Sequence, residues 1–195
     1  MKISVVIPVF NAEIFIDATI KAVLEQRTED FAIELIAVND GSKDGTLAIL
    51  ERFGDKIKLI NQENQGPAAA RNAGARAASG EIIVFTDSDT IPQADWLANL
   101  HRIFKNENVS ACAGSYCIAN PESVLSRIIQ SEIEFRYKSF KRMIRFAGTY
   151  NLAVTKELFE QTGGFDEAYR QASGEDNDFC YKIVKTGKLI RFVED

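Results

Sequence analysis

The chain has 195 residues, 46% of them hydrophobic, and a formal net charge of −5. That is enough apolar material for a substantial core in one domain, and the acidic balance argues against a nucleic-acid partner. The single histidine, His101, falls in a predicted surface helix, which excludes a histidine-rich zinc site and leaves a Ser-His-Asp mechanism without an obvious base. Three cysteines, an odd number, predict reduced thiols in a cytoplasmic setting. Cys112 and Cys117 flank Gly114 on a predicted strand and read as core thiols. No apolar run approaches the ~18 residues needed to span a bilayer, and no secretory leader is read before Lys2.

In chain order, residues 3–7 (ISVVI) form an apolar strand expected to stop at Pro8. Pro8, Val9, Phe10 and Asn11 then make a loop at the carboxyl end of a strand, where ligands collect in open α/β sheets. The loop has no glycine, which argues against a dinucleotide fingerprint or a P-loop. A helix over residues 12–25 follows, with Ile16, Ile20, Val23 and Leu24 at helical spacing. Residues 33–38 form the second strand, which delivers Asn39-Asp40-Gly41-Ser42 to the same edge. Asp40 beside Gly41 reads as a turn acid or as a ligand-facing one. Ser42 or Asp44 can cap the next helix, and residues 56–60 are a third strand.

Gly66-Pro67 opens a helix of almost only small residues, which lets it lie close to a sheet. Its Arg71 reads as a solvated charge or, favoured by its place on this helix, as a side chain set to meet a phosphate. Residues 82–85 are a buried strand, followed at once by Asp87, Ser88 and Asp89. Two carboxylates leaving a core strand are poorly explained by packing, but suit a hard divalent cation such as Mg²⁺ or Mn²⁺. The alternative is a strand-end turn whose acids cap the next helix. Residues 93–105 are an amphipathic helix and 109–118 another strand. These alternations predict an α/β fold, with a mainly parallel central sheet and helices on both faces.

The character changes at Asn120-Pro121. Residues 123–146 interleave aromatics and isoleucines with Arg127, Arg136, Lys138, Lys141, Arg142 and Arg145. They read as an amphipathic excursion or as a basic surface for a membrane leaflet or anionic acceptor. Residues 148–154 are a predicted strand, a short helix leads to Gly163-Gly164-Phe165, and 189–193 form the last strand. Ser173 with Asp176 three residues on has the spacing of a helix capping box.

Taken together, SVVIPVFN (4–11), VNDGSKDGT (38–46), NQGPAAARNAGARAASGEIIVFTDSD (64–89), TGGFDE (162–167) and GEDNDF (174–179) resemble the family 2 glycosyltransferases of the GT-A (nucleotide-diphospho-sugar transferase) fold, over essentially the whole chain. The resemblance implies one GT-A domain over 1–195, with a nucleotide-binding half of about 1–118 and an acceptor-side half of about 119–195. It implies inverting transfer from a UDP- or GDP-sugar to a glycan, lipid-linked or other hydroxyl acceptor, in glycan or cell-envelope polysaccharide synthesis. In that family Pro8 to Asn11 and Asp40 correspond to the base site, with Phe10 stacking on the base. Arg71 lies near the diphosphate, and Asp87, Ser88 and Asp89 serve ribose and Mg²⁺ or Mn²⁺, with Asp89 the metal ligand. Asp176 corresponds to the general base, with Glu175 beside it to raise its basicity. The enzyme is expected in the cytoplasm, at the inner face of the membrane if residues 123–146 bind it.

Two family features are missing from the sequence: a metal-binding histidine beyond residues 189–193 and the Gln-x-x-Arg-Trp signature of processive synthases. The metal is then left to Asp89, phosphate and water, unless the native chain continues past Asp195. Two other readings fit less well. A sugar-nucleotide nucleotidyltransferase would want a glycine-rich basic loop after the first strand, and a non-catalytic nucleotide-sugar-binding domain would keep the binding residues alone.

Overall fold

The computed structural model describes residues 1–118, 122–139 and 142–193. The Asn120-Pro121 junction, Lys141, Asp195 and the side chain of Arg136, to which expectations attach above, lie outside the described residues. The first half alternates strictly: β1 (Lys2–Val9), α1 (Ile16–Leu24), β2 (Ala32–Asp40), α2 (Thr46–Glu51), β3 (Lys58–Gln62), α3 (Pro67–Ala77), β4 (Ile82–Phe85) and α4 (Trp96–Asn106). There follow β5 (Ala111–Gly114), α5 (Val124–Lys138), β6 (Met143–Ile144), β7 (Leu152–Thr155), α6 (Lys156–Thr162), α7 (Glu175–Lys185) and β8 (Ile190–Val193). All eight strands join one sheet in the order β3-β2-β1-β4-β7-β5-β8-β6. The first four positions are parallel; β7 runs antiparallel to both β4 and β5, β8 is parallel to β5, and β6 is antiparallel to β8.

Side-chain alternation along the strands divides the core in two. Ile3, Val5, Ile7 and Val9 of β1 pack with Ile82 and Val84 of β4 against Ile16, Ile20, Leu97 and Leu100 of α1 and α4. Val6 of β1 and Ile83 and Phe85 of β4 face the other way, toward α3, α6 and α7. There Phe85, Phe165 and Phe179 form an aromatic cluster, with Phe165 edge-on to Phe85 at 5.1 Å and 4.3 Å from Phe179. The small residues of α3 serve the close approach expected of them: a Cβ at Gly74 would run into Val6 of the sheet.

Several boundaries differ from the sequence reading. Strand β1 runs through Pro8 to Val9, because even-numbered residues of β1 turn their polar groups toward β4 and that ladder has already ended at the Val6–Phe85 pair. Pro8 therefore lacks its N–H where no bond is needed. The strand expected over 109–118 contracts to Ala111–Gly114, and Ser115 to Ile118 leave the sheet. Only Cys112 of its two cysteines is a core thiol; Cys117 is exposed. Burial pushes the thiols of Cys112 and Cys180 up to about 12. His101 is not a surface residue: it is buried, with its ring stacked on Phe31 at 4.7 Å, and burial lowers its pKa. The strand expected from residue 148 begins at Leu152, after a 3₁₀ turn over Thr149–Asn151. Among the described residues, no helix is long and apolar enough to cross a membrane.

Candidate active site

The loops leaving β1, β2 and β3 are sewn together at the carboxyl edge of the sheet. Asn11 sits in the left-handed region (φ 49°), and its side-chain oxygen accepts a bond from Lys43 N–H at 2.8 Å. Its own N–H donates to Ser42 Oγ at 3.0 Å, and Ala12 N–H donates to Thr46 Oγ1 at 2.8 Å. Phe10, between these fixed points, is 48% exposed, so a large apolar ring is held open at a ligand-collecting edge. Asp40, expected to reach a base, is buried, and its carboxylate already accepts bonds from Gln62 Nε2 (2.7 Å), Gln65 N–H (2.9 Å) and Gly66 N–H (2.8 Å). It holds the loop between β3 and α3. That loop also needs Gly66, whose φ is +93° and whose missing Cβ would strike the backbone of Arg170.

At the end of β4 the chain turns, with Thr90 N–H donating to the Asp87 carbonyl at 3.3 Å. Ser88 is tied down through its carbonyl, which accepts a bond from Thr19 Oγ1 at 2.9 Å. Asp89 is exposed and has no protein partner among the described residues, whereas Asp87 is half-buried. Burial raises the Asp87 carboxyl above the usual carboxylate range; the Arg71 charge opposes this, and the neighbouring charges of Asp89 and Asp176 add to it. The protein has thus collected acids here beyond what its own cation neutralises. Among the described residues no cluster of three or more His, Cys, Asp or Glu forms a metal cage. Two hard oxygen donors, one without a protein partner, fit Mg²⁺ or Mn²⁺ only if phosphate and water complete the shell.

Arg71 does not stand free to meet a phosphate. It is 5% exposed; Nη2 donates to Asp87 Oδ1 at 2.9 Å and Nη1 to Glu175 Oε1 at 3.0 Å, while the guanidinium lies 5.7 Å from the Phe165 ring centre. Two carboxylates already neutralise it, so it acts as a bolt between the acidic turn and the start of α7. Glu175, expected beside Asp176 as a catalytic partner, is also buried. Its second oxygen accepts bonds from Ser173 N–H (2.9 Å) and Gly174 N–H (3.2 Å). Burial alone would raise its pKa, but these backbone bonds and Arg71 prevail and hold it below the usual range.

The Ser173–Asp176 capping box is not formed. Ser173 Oγ donates instead to the Gln171 carbonyl at 3.1 Å, and α7 has no side-chain cap at Gly174. Glu175 has taken over the free N–H groups ahead of the helix, so Asp176 is released from that duty. Its Oδ1 accepts only the Asn177 N–H at 2.9 Å among the hydrogen bonds of the described residues, and its half-buried carboxylate is close enough for its charge to be felt at Asp87.

The sequence and the fold have counterparts elsewhere. The model of the family described as "Glycosyl transferase family 2" matches residues 4–162. The chain belongs to glycosyl transferase family 2. Among its relatives, the probable glycosyltransferase YdaM of Bacillus subtilis (strain 168) is 30% identical over 98% of this chain and 48% of that protein. The Escherichia coli UDP-Glc:alpha-D-GlcNAc-diphosphoundecaprenol beta-1,3-glucosyltransferase WfgD is 37% identical over 65% of this chain and 50% of its own length. The family 2 chain spans 24%, 48% and 64% of the first three curated relatives, so it corresponds to part of each. Its fold matches that of the mannosyltransferase PcManGT from Pyrobaculum calidifontis, solved with GDP-Man and Mn²⁺, with a TM-score of 0.73 and 25% identity over 99% of this chain and 55% of that one. It also matches S. aureus TarS 1-349 with a TM-score of 0.76 and 24% identity, over 100% of this chain and 58% of that one. The fold is GT-A.

Two parts of this family 2 site escaped the sequence reading. Asn72 grips the TGGFDE loop from both sides, donating to the Phe165 carbonyl and to Glu167 Oε1, both at 2.9 Å, and accepting from Phe165 N–H at 2.9 Å. Beyond the acidic turn, a cavity of about 630 Å³ opens between α4, the segment after β5 and α5. Trp96, Tyr116, Tyr137 and Tyr150 all line it. Their aromatic character is visible in the sequence, but they come from four separate segments.

Proposed function

We propose that this family 2 domain is an inverting glycosyltransferase that moves a sugar from a UDP- or GDP-linked donor to an acceptor hydroxyl. The observation that carries the reading is the meeting, at one sheet edge, of the acidic turn after β4 with an uncapped acid at the start of α7. Phe10, held open by its anchored neighbours, offers a face to the base, with Pro8, Val9 and Asn11 beside it and Asp40 shaping the loop opposite. Asp89, with Asp87, would hold Mg²⁺ or Mn²⁺ together with the donor diphosphate, a choice supported by the Mn²⁺ and GDP-Man of PcManGT. When bound, that cation supplies neutralisation of the charge that develops on the leaving diphosphate.

Asp176 accepts the proton of the acceptor hydroxyl as its oxygen bonds to the anomeric carbon. The bond from that carbon to the diphosphate oxygen breaks, and its electron pair leaves with the nucleotide. One base on the side opposite the leaving group gives inversion. Arg71 and Glu175 are positioning residues, since each reaches the reacting groups only through Asp87 or the α7 terminus. WfgD, named for transfer to a lipid-linked sugar, supports a saccharide acceptor and a role in envelope glycan synthesis at the inner membrane face.

The test is Asp176→Asn, with donor binding followed by melting in a panel of nucleotides with Mn²⁺. Asparagine keeps the shape and cannot take the proton. Nucleotide stabilisation should persist while transfer to a hydroxyl falls on the order of 10²–10⁴-fold. Unimpaired transfer would defeat the assignment, and the absence of any nucleotide-dependent shift would defeat the donor site.

A further inference from the structure

We infer that the outward face of α5 docks the domain on an anionic lipid leaflet. The inference rests on the reading above only for which membrane is meant, its inner face; the surface itself is read from α5. That helix is apolar on two sides. Ile133 and Tyr137 are buried and join the core. On the opposite side Val124, Leu125, Ile128, Ile129 and Phe135 recur at the spacing of one helical face. All five are exposed, Ile128 by 63% and Phe135 by 78%. A helix that is apolar all round is one that something covers, and an exposed patch of this kind marks a contact surface.

Charge complementarity selects the leaflet. Residues 122–146 hold six lysines or arginines and three glutamates, in a chain whose net charge is −5. By helical position Arg127 and Lys138 border the apolar face on one side, and both are exposed. Among the described residues Arg127, Lys138 and Arg145 form no ion pair, whereas Arg142 is held by Glu107 at 2.9 Å. Of the glutamates, Glu122 precedes the helix and Glu134 faces the cavity, where Gln130 Nε2 donates to it at 3.0 Å. Only Glu132 lies on the apolar face. The edge strand β6, whose Ile144 shares the core with Ile133, adds exposed Met143, and its exit exposes Arg145 and Phe146. Apolar side chains set among headgroups, with cations at the level of the phosphates, are how an amphipathic helix lies in a membrane surface.

Area decides against a second copy of the chain. Four turns of helix make a cylinder about 22 Å long and about 10–12 Å across, whose outward half offers on the order of 400 Å². A stable interface between two proteins takes about 800 Å² from each. A leaflet needs no such area, because it receives apolar side chains one by one to a depth of about 5–10 Å. The placement also suits the site. Gln130, Glu134 and Tyr137 of the same helix line the cavity that Asp87 and Asp89 border. A bilayer against the far side of α5 therefore lies about one helix diameter from that cavity.

Co-sedimentation of the intact chain with vesicles tests this. Vesicles of equal parts phosphatidylglycerol and phosphatidylcholine are compared with phosphatidylcholine alone, at low and high salt. The anionic vesicles should bind the chain, the neutral ones roughly tenfold more weakly, and salt should weaken the anionic binding. Ile128→Asp/Phe135→Asp, at exposed sites that leave the melting curve unchanged, should weaken it roughly tenfold or more. Arg127→Gln and Lys138→Gln should each weaken it about fivefold, a difference that high salt removes. No sedimentation with the anionic vesicles, or undiminished binding by Ile128→Asp/Phe135→Asp, overturns the inference. So does light scattering that finds a dimer of the wild type, lost in that variant, without vesicle binding. Melting with UDP or GDP and Mn²⁺ is run alongside. Vesicle binding with no nucleotide shift would remove the donor reading and leave the docking surface, and the reverse result would do the opposite.

Discussion

Replacing Glu175 tests whether Arg71 is a bolt rather than a phosphate ligand. The two side chains are 5% and 6% exposed and joined at 3.0 Å, and Glu175 also satisfies the N–H groups of Ser173 and Gly174. Glutamine has one acceptor oxygen on its amide and cannot serve both Arg71 and that backbone pair. Glu175→Gln therefore leaves either a buried guanidinium short of a carboxylate or an uncapped helix start. Removing one partner of a buried pair costs about 3–5 kcal/mol. For a chain of this size 3 kcal/mol lowers Tm by roughly 6–12 °C. The double variant Arg71→Met/Glu175→Gln removes the stranded charge, and Asp87 can turn to solvent, so at least half of the loss should return. The pH dependence has a definite sign. Glu175 is held below its ordinary value when folded, so its contribution is complete above about pH 4.5 and disappears as pH falls through the lowered folded value. The gap between wild type and Glu175→Gln should therefore narrow only in acid. Urea melts between pH 3 and pH 8 measure all of this. A loss below about 1 kcal/mol, or additive effects in the double variant, would refute the bolt.

Asp89→Asn should abolish Mn²⁺-dependent nucleotide stabilisation while leaving the ligand-free Tm unchanged, since the side chain is exposed and makes no protein bond among the described residues; isothermal calorimetry decides it. Gly66→Ala should lose about 1–3 kcal/mol or more in chemical denaturation, from backbone strain at φ +93° and the clash with Arg170. Glu34 is held at about 2, against the cost of its partial burial, by Ser4 and Ser79 and the charge of Lys2. Its stabilisation should be complete above about pH 4.5 and fade toward pH 2, and Glu34→Gln should lower stability at neutral pH by about 1–2 kcal/mol after screening, seen as a flattened acid limb in melting.

Much of the architecture could be read from local pattern because each local preference agrees with the fold: apolar β-branched runs, a Pro-initiated helix of small residues, and turns of Asn, Asp and Gly. The acid-bearing turn after β4 was equally plain. What the sequence concealed was mostly long-range. Arg71 and Glu175 are 104 residues apart, and nothing near either announces the pairing. Their union is also why the local Ser173–Asp176 signature misleads, since Glu175, anchored by Arg71, reaches the N–H groups first. Glu34 interrupts an otherwise apolar strand for a similar reason: its acceptors are used by Ser4 Oγ at 2.6 Å and Ser79 N–H at 2.9 Å from elsewhere in the chain. The contraction of β5 follows from Ser115, whose carbonyl is taken by Asn151 Nδ2 at 3.1 Å and so leaves the ladder early.

The placement of β7 fixes a dimension of the cleft beside the acidic turn. Strands β4 and β5 follow one another in sequence, yet β7 lies between them, with Leu152 opposite both Phe85 and Ala113. Neighbouring strands are about 4.8 Å apart, so the acidic turn and the Tyr116 segment leave the sheet roughly 10 Å from each other. The incoming end of β7, with Tyr150 and Asn151, spans that gap as its floor. No side-chain change can widen such a gap without breaking a ladder of backbone hydrogen bonds. Changing what this cleft admits is therefore a matter of altering the walls: Trp96 and its neighbours on one side, Tyr116 to Ile118 and α5 on the other. A mutant library confined to those walls would sample depth and chemistry at a width the backbone has already chosen.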